Sequence, residues 1–430
     1  MYVLPGTVRL LQMHLGMRRR GACPSLGAHC TNRNIQLASS DSEVRIMLGK
    51  VAAEAKSALN LAAANNRRER HQPPKFYRLK VSDVRQETSD SVSVAFELPH
   101  ELADRYSFLP GEYLTLRHTI GGKETRRCYS ISSGLDDGDL RVVVKKVAGG
   151  AFSSFVHSAL RPETQLDVMT PMGTFTAPIE PAKAKTYLGI AAGSGITPIM
   201  SILRSVLARE PRSTFILLYG NRSTNSIIFR DALDDLKDQH LGRLSVFHIL
   251  SREATDAPLS SGRLDADKLR TFARFLFDPA AIDHAFLCGP ASMIAGLRET
   301  LAELGVTLDR IHDELFTPAE GIFAKTAPYG FDAARVEGSE VTAILDGMAR
   351  RFRMRTGNES VVDAAHESGI ELPYSCKGGM CSTCRAKVVE GKVQMAVNYS
   401  LEPWEVEAGY VLTCQARPTT PTITLDYDQV

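Results

Sequence analysis

Four cysteines near the C-terminus constrain what the last part of this chain can fold into. Three of them are spaced as Cys-x4-Cys-x2-Cys, at Cys376, Cys381 and Cys384, and the fourth is Cys414 in the segment GYVLTCQARP. Three ligands on one tight loop and a fourth from a distant strand can surround two bridged irons, and this is the spacing of plant-type clusters. The two glycines between the first two cysteines let the backbone fold close to the inorganic sulfides. The spacing therefore predicts a [2Fe-2S] cluster on these four residues.

A structural zinc site is the alternative for the same thiolates, because four thiolates also satisfy tetrahedral zinc. Zinc ligands more often come as two separated short pairs, whereas this chain has three ligands on one glycine-rich loop and one far downstream. The arrangement favours iron and sulfide. Plant-type clusters have potentials of roughly −400 mV, so the predicted site is a strong one-electron donor.

The length of 430 residues exceeds what one hydrophobic core usually organises and suggests about three domains. We predict an antiparallel β-barrel over residues 73–180 and a parallel α/β domain over 181–317. A linker over 318–338 leads to an α+β cluster domain over 339–430. Residues 1–72 precede the first domain and are predicted to be a disordered extension, since the run RRERHQPP at its end is typical of a solvated linker.

The domain assignments rest on how apolar segments alternate with turns and helices. Short Val-, Leu-, Phe- and Tyr-rich segments such as VSVAFELP, EYLTLRHTI and LRVVVKKV are separated by turn signals, which favours an antiparallel barrel. Farther on, the segments YLGIA, FILLYG, LSVFHIL and HAFLCG alternate with helical segments such as ITPIMSILRSVL. Alternating strands and helices predict a parallel sheet. In the last domain, two short strand candidates and a helix near Ser360 to Glu367 accompany the cysteine loop.

Charge and hydropathy exclude two classes of function. The formal net charge is only +2, so nucleic-acid binding is not predicted as the main task. The uncharged segment from Thr186 to Leu203 contains Gly193, Gly195 and Pro198, which a lipid-facing helix tolerates poorly, so no membrane span is predicted.

The compartment is predicted from the cysteines and from the N-terminal composition. The first forty residues contain no Asp or Glu and five arginines, a bias that resembles a mitochondrial transit peptide. The four clustered cysteines suit a metal cluster better than disulfides, and no convincing secretory signal precedes them. We therefore expect a reducing cytoplasm rather than a mitochondrial location.

The segment RRCYSISS, over residues 126–133, contains side chains suited to a flavin. Arg127 and Tyr129 alternate along one strand and share one of its sides, and Ser130 follows. An isoalloxazine ring needs an aromatic platform, and the diphosphate of FAD needs a guanidinium. The pattern predicts an FAD site, with an ordinary barrel strand as the alternative.

The segment GGAFSSFVH, from Gly149, predicts the second half of the same site. Gly150 and Ser153 stand where a glycine turn opens a helix, and helix N-terminal amides bind phosphate groups. Alone this pattern is also typical of an ordinary helix cap. Its position downstream of RRCYSISS favours FAD.

Two further segments predict a nicotinamide dinucleotide site. AAGSGITP follows an apolar strand and opens a helix, so Gly193 and Gly195 can admit a pyrophosphate close to the backbone, although the full G-x-G-x-x-G fingerprint is absent. LCGPASM places Cys288 at the end of a strand, at the sheet edge where ligands gather. Cys288 is equally explained as a small buried residue.

The order of these motifs, RxYS, GxxS, GSGITP, CGP and the cysteines, resembles the ferredoxin-NADP reductase family fused to a C-terminal ferredoxin. The resemblance covers about residues 76–430 and implies a β-grasp fold for the cluster domain. Within the family, LPYSCKGGMCSTCRAKVVEGKVQMAVNY and WEVEAGYVLTCQARP are most similar to the reductase components of ring-1,2-phenylacetyl-CoA epoxidases. Reductases of steroid hydroxylases and of Rieske-type oxygenases share the same architecture.

The resemblance also implies roles for single residues. Tyr129 would stack on the flavin, Arg127 and Ser153 would meet its phosphates, and Ser130 would approach its reactive nitrogen. Thr197 and Cys288 would lie beside the nicotinamide, while Glu314 and Phe316 of HDELF would close the flavin site. The catalytic set implied is Ser130, Cys288 and Glu314. In plant reductases an aromatic C-terminus covers the flavin, whereas this chain continues past Phe316, which leaves its closing role open.

Cofactor choice is predicted from the ends of two strands in the α/β domain. Arg222 in YGNRS and the pair Ser251 and Arg252 in ILSRE offer cations and a hydroxyl for the 2′-phosphate of NADPH. A ribose-binding acid would favour NADH instead. We therefore predict NADPH, with solvated loop charges as the alternative explanation of these residues.

These predictions combine into one electron-transfer path. NADPH delivers two electrons together as a hydride, whereas an iron-sulfur cluster accepts one at a time. FAD can accept an electron pair and pass the electrons on singly. The predicted path runs from NADPH through FAD and the [2Fe-2S] cluster to the oxygenase component of a multicomponent monooxygenase acting on an aromatic acyl-CoA. A different oxygenase partner is the enzyme alternative. A zinc-containing binding scaffold is the non-enzyme alternative.

Overall fold

The computed structural model describes residues 74–255, 257–316, 336–355 and 359–429. The predicted extension over residues 1–72 and nearly all of the predicted linker over 318–338 lie outside the described residues. None of the described helices is long and apolar enough to cross a membrane.

Six strands and one helix form the first domain. They are β1 (Phe76–Thr88), β2 (Ser91–Glu97), β3 (Tyr113–Ile120), β4 (Lys123–Ser130), β5 (Leu140–Lys145), α1 (Ala151–Ala159) and β6 (Gln165–Met169). The sheet is antiparallel, in the order β4-β3-β6-β1-β2-β5, and a bridge from Ile131 to Val142 joins its two edges into a barrel. Alternate residues such as Leu79 and Val81 are fully buried in its core, as the two-residue period of a strand requires. The predicted antiparallel barrel is confirmed.

The second domain alternates strands and helices. Its elements are β7 (Thr186–Ala192), α2 (Ile196–Arg209), β8 (Thr214–Asn221), α3 (Arg230–Gln239), β9 (Leu244–Leu250), α4 (Ala266–Phe275), β10 (His284–Gly289), α5 (Ala291–Glu303) and β11 (Ile311–Leu315). All five strands are parallel, in the order β11-β10-β7-β8-β9, and apolar cores cover both faces of the sheet. The strand order reverses between β7 and β10, and such a switch point opens a crevice at the carboxyl ends of the strands. The predicted parallel α/β domain is confirmed.

The third domain is a mixed sheet with a helix packed on it. Its elements are β12 (Glu340–Leu345), β13 (Met348–Arg353), α6 (Val361–Glu367), β14 (Arg385–Glu390), β15 (Val393–Met395), α7 (Pro403–Glu407), β16 (Tyr410–Leu412), β17 (Ala416–Pro418) and β18 (Thr422–Asp426). The main sheet runs β13-β12-β18-β14-β16, with β12 parallel to β18 and the other pairs antiparallel. Ser360 caps α6 by accepting a hydrogen bond from the Asp363 amide at 3.2 Å. This is the α+β, β-grasp arrangement predicted for the cluster domain.

Strand β11 was not predicted. Its short sequence IHDEL shows no alternation of apolar and polar residues, and it is a strand because it pairs in parallel with β10. Tertiary pairing therefore decides its structure. The described elements fall inside the predicted domain ranges, while the exact domain limits remain predictions.

Candidate cofactor sites

The predicted cluster ligands come from two places in the third domain. Cys376, Cys381 and Cys384 lie on the loop between α6 and β14, and Cys414 follows β16. The Cys376 thiol interacts with Cys381 and the Cys384 thiol with Cys414, and the Cys381 thiol also interacts with Cys128 of the barrel. Within the described residues, no three ligand-type side chains surround a position for a single ion. Two pairs of thiols suit a cluster of two irons, each with two cysteine ligands.

Hydrogen-bond donors surround these sulfur atoms. The Gly378 amide donates to Cys376 Sγ at 3.3 Å, and the Gln415 side-chain amide donates to Cys414 Sγ at 3.5 Å. Donors of this kind stabilise negative charge on cluster sulfurs and help to set the potential. The chemistry of the loop therefore fits an iron-sulfur cluster.

The curvature of this loop depends on unusual backbone angles. Lys377, Gly379 and Ser382 have φ values of +52°, +74° and +52°. Left-handed angles cost a residue with a side chain roughly 1–2 kcal/mol, and contacts with residues outside the loop, such as the bond from the Gln415 side chain to the Lys377 carbonyl at 2.9 Å, offset this cost. Gly379 has little room as well, since an added Cβ would lie 3.1 Å from the Val397 side chain.

The predicted flavin residues lie along β4. Tyr129 is partly buried, and its ring centroid is 6.0 Å from that of Phe152 at the start of α1. Arg127 is exposed, and its guanidinium donates to the Arg126 carbonyl at 2.7 Å. An aromatic platform with an exposed cation two residues earlier is compatible with a flavin and its phosphates. The assignment of these roles remains a prediction.

The glycine turn before α1 is held by Ser153. Its buried hydroxyl accepts from the Val147 amide at 3.1 Å and donates to the Gly150 carbonyl at 3.2 Å. An added Cβ on Gly150 would lie 2.7 Å from this hydroxyl oxygen. The observed contacts of Ser153 are thus with its own turn, and its predicted contact with a diphosphate remains untested.

The two predicted nicotinamide segments meet at the switch point of the parallel sheet. A Cβ on Gly195 would lie only 2.0 Å from the Cys288 carbonyl oxygen, so the turn after β7 packs directly on the end of β10. Gly193 has a φ of +53°, and the Thr197 hydroxyl donates to the Ser194 carbonyl at 3.0 Å. The glycines therefore shape a turn whose amides lie at the edge where a dinucleotide is expected.

The three predicted catalytic residues lie on three strands, Ser130 on β4, Cys288 on β10 and Glu314 on β11. Ser130, at the end of β4, donates a hydrogen bond to Glu314 Oε2 at 3.2 Å, and Glu314 of β11 pairs in register with Cys288 of β10. Burial raises the pKa of Glu314 to about 8, and the Ser130 hydrogen bond only partly offsets this rise. Burial also raises the pKa of the Cys288 thiol well above its usual value. At neutral pH this site can therefore hold a protonated carboxyl group beside a hydroxyl.

The predicted 2′-phosphate residues lie side by side at the carboxyl ends of β8 and β9. Arg222, Ser251 and Arg252 are exposed, and the Arg252 amide donates to the Arg222 carbonyl at 2.8 Å. Glu253 is the nearest acid in sequence, but its carboxylate accepts from both the amide and the hydroxyl of Thr224, at 2.7 and 2.6 Å. Two guanidinium groups on adjacent strand ends are compatible with a phosphate ligand.

Phe316 follows β11 directly and is 39% exposed. Its predicted covering role depends on a flavin beside it, and this role remains a prediction.

Sequence reasoning missed the residues that join the barrel to the cluster loop, among them Tyr113, Arg126 and Cys128. A signal was present in the segment RRCYS. Arg126 and Cys128 alternate with Arg127 and Tyr129, so they must project from the opposite side of the strand.

Three family models match this chain in the order of the three domains. Residues 78–177 match the oxidoreductase FAD-binding domain and residues 190–299 match the oxidoreductase NAD-binding domain. Residues 343–419 match the 2Fe-2S iron-sulfur cluster binding domain.

Several curated relatives match most of this chain. One component of the 1,2-phenylacetyl-CoA epoxidase from Escherichia coli K12 is 42% identical over 82% of this chain and 98% of its own length. The ferredoxin reductase component of 3-ketosteroid-9-alpha-monooxygenase from Rhodococcus rhodochrous is 35% identical over 81% of this chain and 96% of its own. Among solved structures, phthalate dioxygenase reductase superposes with a TM-score of 0.50 and 21% identity, over 82% of this chain and 98% of that one. The last likeness concerns the fold alone.

Proposed function

Because the chain belongs to the family of oxygenase reductases that join FAD-binding, NAD-binding and [2Fe-2S] domains, we propose that it passes electrons from NADPH to a phenylacetyl-CoA epoxidase. The observation that supports this path best is the position of β4. Ser130 of that strand contacts Glu314 of the nicotinamide domain, and Cys128 lies 2.8 Å from Ser375 beside the cluster loop. One strand therefore touches both neighbouring domains.

The chain's own residues would bind and orient the redox groups and hold a proton beside them. Bound FAD takes a hydride as an electron pair and releases electrons singly to an iron-sulfur cluster. Arg127, Tyr129 and Ser130 would hold the flavin, the turn around Gly195 would hold the dinucleotide, and the four cysteines would hold the cluster. Glu314, protonated below about pH 8, would hold a proton next to the Ser130 hydroxyl.

The test is reconstitution with purified oxygenase. NADPH should reduce an artificial acceptor through the isolated protein, while phenylacetyl-CoA should be epoxidised only after a phenylacetyl-CoA epoxidase oxygenase component is added. Epoxidation by the lone chain would contradict the proposal. A preparation without flavin absorbance and without the paramagnetic signal of a reduced [2Fe-2S] cluster would also contradict it.

A second partner deserves the same assay, because 3-ketosteroid-9-alpha-monooxygenase reductase is 35% identical to this chain. Supplying the protein with each purified oxygenase in turn distinguishes the two. If only the steroid oxygenase forms product when it is supplied with this protein, that oxygenase is the partner instead. The cytoplasm remains our proposed location, since the four clustered cysteines suit a metal cluster in a reducing compartment better than they suit disulfides.

NADPH preference is proposed from Arg222, Ser251 and Arg252. Arg252→Ala is expected to raise the KM for NADPH by about tenfold or more, because charge-assisted bonds to a phosphate are among the stronger hydrogen bonds. NADH lacks the 2′-phosphate, so its KM should change little. Steady-state kinetics with both nucleotides measure the difference. Arg274→Ala, an exposed arginine on α4, is the matched control. Equal effects of Arg252→Ala on both nucleotides would remove the assignment.

The raised pKa of Glu314 predicts a pH dependence of acceptor reduction. Below about pH 8 the carboxyl is protonated and can donate to its neighbours, and this ability is lost as pH rises through that value. We expect NADPH-dependent acceptor reduction to fall about tenfold per pH unit above that point in the parent protein. Glu314→Gln should flatten the profile, whereas Asp313→Asn on the same strand should keep it. Identical profiles in the parent and Glu314→Gln would show that this carboxyl is not involved.

A further inference from the structure

One face of the β3–β4 ladder is turned away from the predicted flavin platform. Opposite residues of an antiparallel ladder share a face, and the observed register pairs Tyr113 with Ser130 and Thr115 with Cys128. Tyr129 and Arg127 pair with Leu114 and Leu116 on the other face. Tyr113 is therefore the cross-strand neighbour of the serine that is predicted to approach the flavin.

Tyr113 also contacts the cluster loop directly. Its hydroxyl donates a hydrogen bond to the Cys381 carbonyl and lies 2.8 Å from the Thr383 hydroxyl. The Thr383 hydroxyl in turn lies 3.2 Å from Cys381 Sγ. Tyr113 and Thr383 are buried, with 4% and 2% of their surfaces exposed, so water does not compete for these hydrogen bonds.

Side chains around Tyr113 hold the same loop against the barrel. Arg126, whose side chain is 5% exposed, pairs with Glu371 at 2.9 Å, and its guanidinium lies 4.0 Å from the ring centroid of Tyr374. Cys128 Sγ lies 2.8 Å from Ser375 Oγ. Glu371, Tyr374 and Ser375 precede Cys376, whereas the Tyr113 contacts lie at Cys381 and Thr383. The barrel face therefore holds the loop on both sides of Cys376.

We propose that Tyr113 is a positioning residue for electron transfer between the flavin and the cluster. It joins the strand pair that carries Ser130 to the peptide of one predicted iron ligand and, through Thr383, to the sulfur of that ligand. Electron tunnelling slows steeply as the distance between the electron donor and the electron acceptor increases. A hydrogen-bonded bridge that fixes the distance between flavin and cluster therefore sets the rate of electron transfer between them. This inference rests on the function proposed above and adds the route between its two redox centres.

Tyr113→Phe removes only the hydroxyl and tests the bridge in the flavin- and cluster-loaded protein. After rapid mixing with NADPH, the flavin should bleach at the parent rate, while the following reduction of the cluster should slow by about tenfold or more. The midpoint potential of the cluster, followed by its paramagnetic signal in a dye-coupled titration, should also shift, because the loop around Cys381 loses a hydrogen bond.

Tyr106→Phe is the matched control. Tyr106 is another buried barrel tyrosine, and its hydroxyl donates to the Val168 carbonyl at 2.7 Å in the barrel. It should leave both the inter-centre rate and the potential at their parent values, even if it lowers the melting temperature. Thr383→Val removes only the branch of the bridge that reaches the Cys381 sulfur and keeps the bond to the Cys381 carbonyl. It should still shift the midpoint potential, and it serves as the test if Tyr113→Phe does not fold.

The outcomes separate this inference from the proposed function. Parent rates of cluster reduction with an unshifted potential in a folded Tyr113→Phe protein, or an unshifted potential in Thr383→Val, would overturn the inference and leave the reductase function intact. Equal slowing by Tyr106→Phe would overturn it too, since the effect would then belong to general loosening of the barrel. A parent protein without flavin or cluster signals would instead overturn the function itself.

Discussion

Cys414→Ser is expected to abolish cluster-dependent electron transfer while leaving flavin reduction by NADPH in place. A serine hydroxyl is a hard, protonated ligand where an iron-sulfur cluster needs a soft thiolate, and Cys414 is the predicted ligand that comes from outside the cysteine loop. Reduction of a one-electron protein acceptor should fall by about 100-fold or more. Reduction of ferricyanide, which can take electrons from the flavin, should be retained. Both are measured on one preparation with NADPH.

Cys128→Ser is the control for this substitution. Cys128 lies near the loop but outside the four-cysteine spacing, and its sulfur contacts the Ser375 hydroxyl at 2.8 Å. Its replacement should preserve iron content, visible absorbance and the paramagnetic signal of the reduced cluster. A normal cluster signal in Cys414→Ser would disprove the ligand assignment, and loss of the signal in Cys128→Ser would show that the fifth thiol belongs to the site.

Gly195→Ala is expected to lower kcat/KM for NADPH by about 100-fold, the scale of loss that a misplacement near 1 Å produces. The added Cβ would lie 2.0 Å from the Cys288 carbonyl oxygen, which is backbone and cannot rotate away. The turn and the end of β10 must therefore separate at the edge of the sheet. Steady-state kinetics and NADP⁺ binding by calorimetry measure the loss.

Gly296→Ala provides the comparison within the same domain. Nothing lies within 4 Å of a Cβ at this position in α5, and alanine favours a helix over glycine by roughly 1 kcal/mol. This variant should melt at the parent temperature or higher and bind NADP⁺ normally. Parent-like kinetics in Gly195→Ala would mean that the close packing of the turn on β10 is dispensable for the nicotinamide site.

Local patterns were sufficient to predict the class of each domain. The alternation in EYLTLRHTI reappears as β3, and the apolar YLGIA segment with its glycine turn reappears as β7 leading into α2. The fold brings together the four cysteines whose spacing predicted a cluster, although their role as ligands stays a prediction. The strands and turns depend on residues that are close in sequence, and the cysteine spacing suits only a few kinds of metal site.

Long-range pairing could not be predicted from the same patterns. Tyr113 and Cys381 are 268 residues apart, and nothing local to EYLTL indicates that its tyrosine faces another domain. Glu314 illustrates the same difficulty, because the raised pKa of its carboxyl depends on burial that only the completed packing provides. Alternation along β4 requires Arg126 and Arg127 to project from opposite sides, but it indicates no partner for either residue.

The ion pairs of Glu371 make the contact between the barrel and the cluster domain sensitive to salt. Its side chain is 64% exposed, yet it accepts from both Arg117 and Arg126, at 3.0 and 2.9 Å, across the contact between barrel and cluster domain. Dissolved salt weakens such partly exposed pairs, since the Debye length is only about 8 Å at physiological ionic strength. Ionic strength should therefore act on the passage of single electrons in addition to its effect on NADPH binding at the exposed Arg222 and Arg252. Turnover numbers measured at different salt concentrations then describe different rate-limiting events.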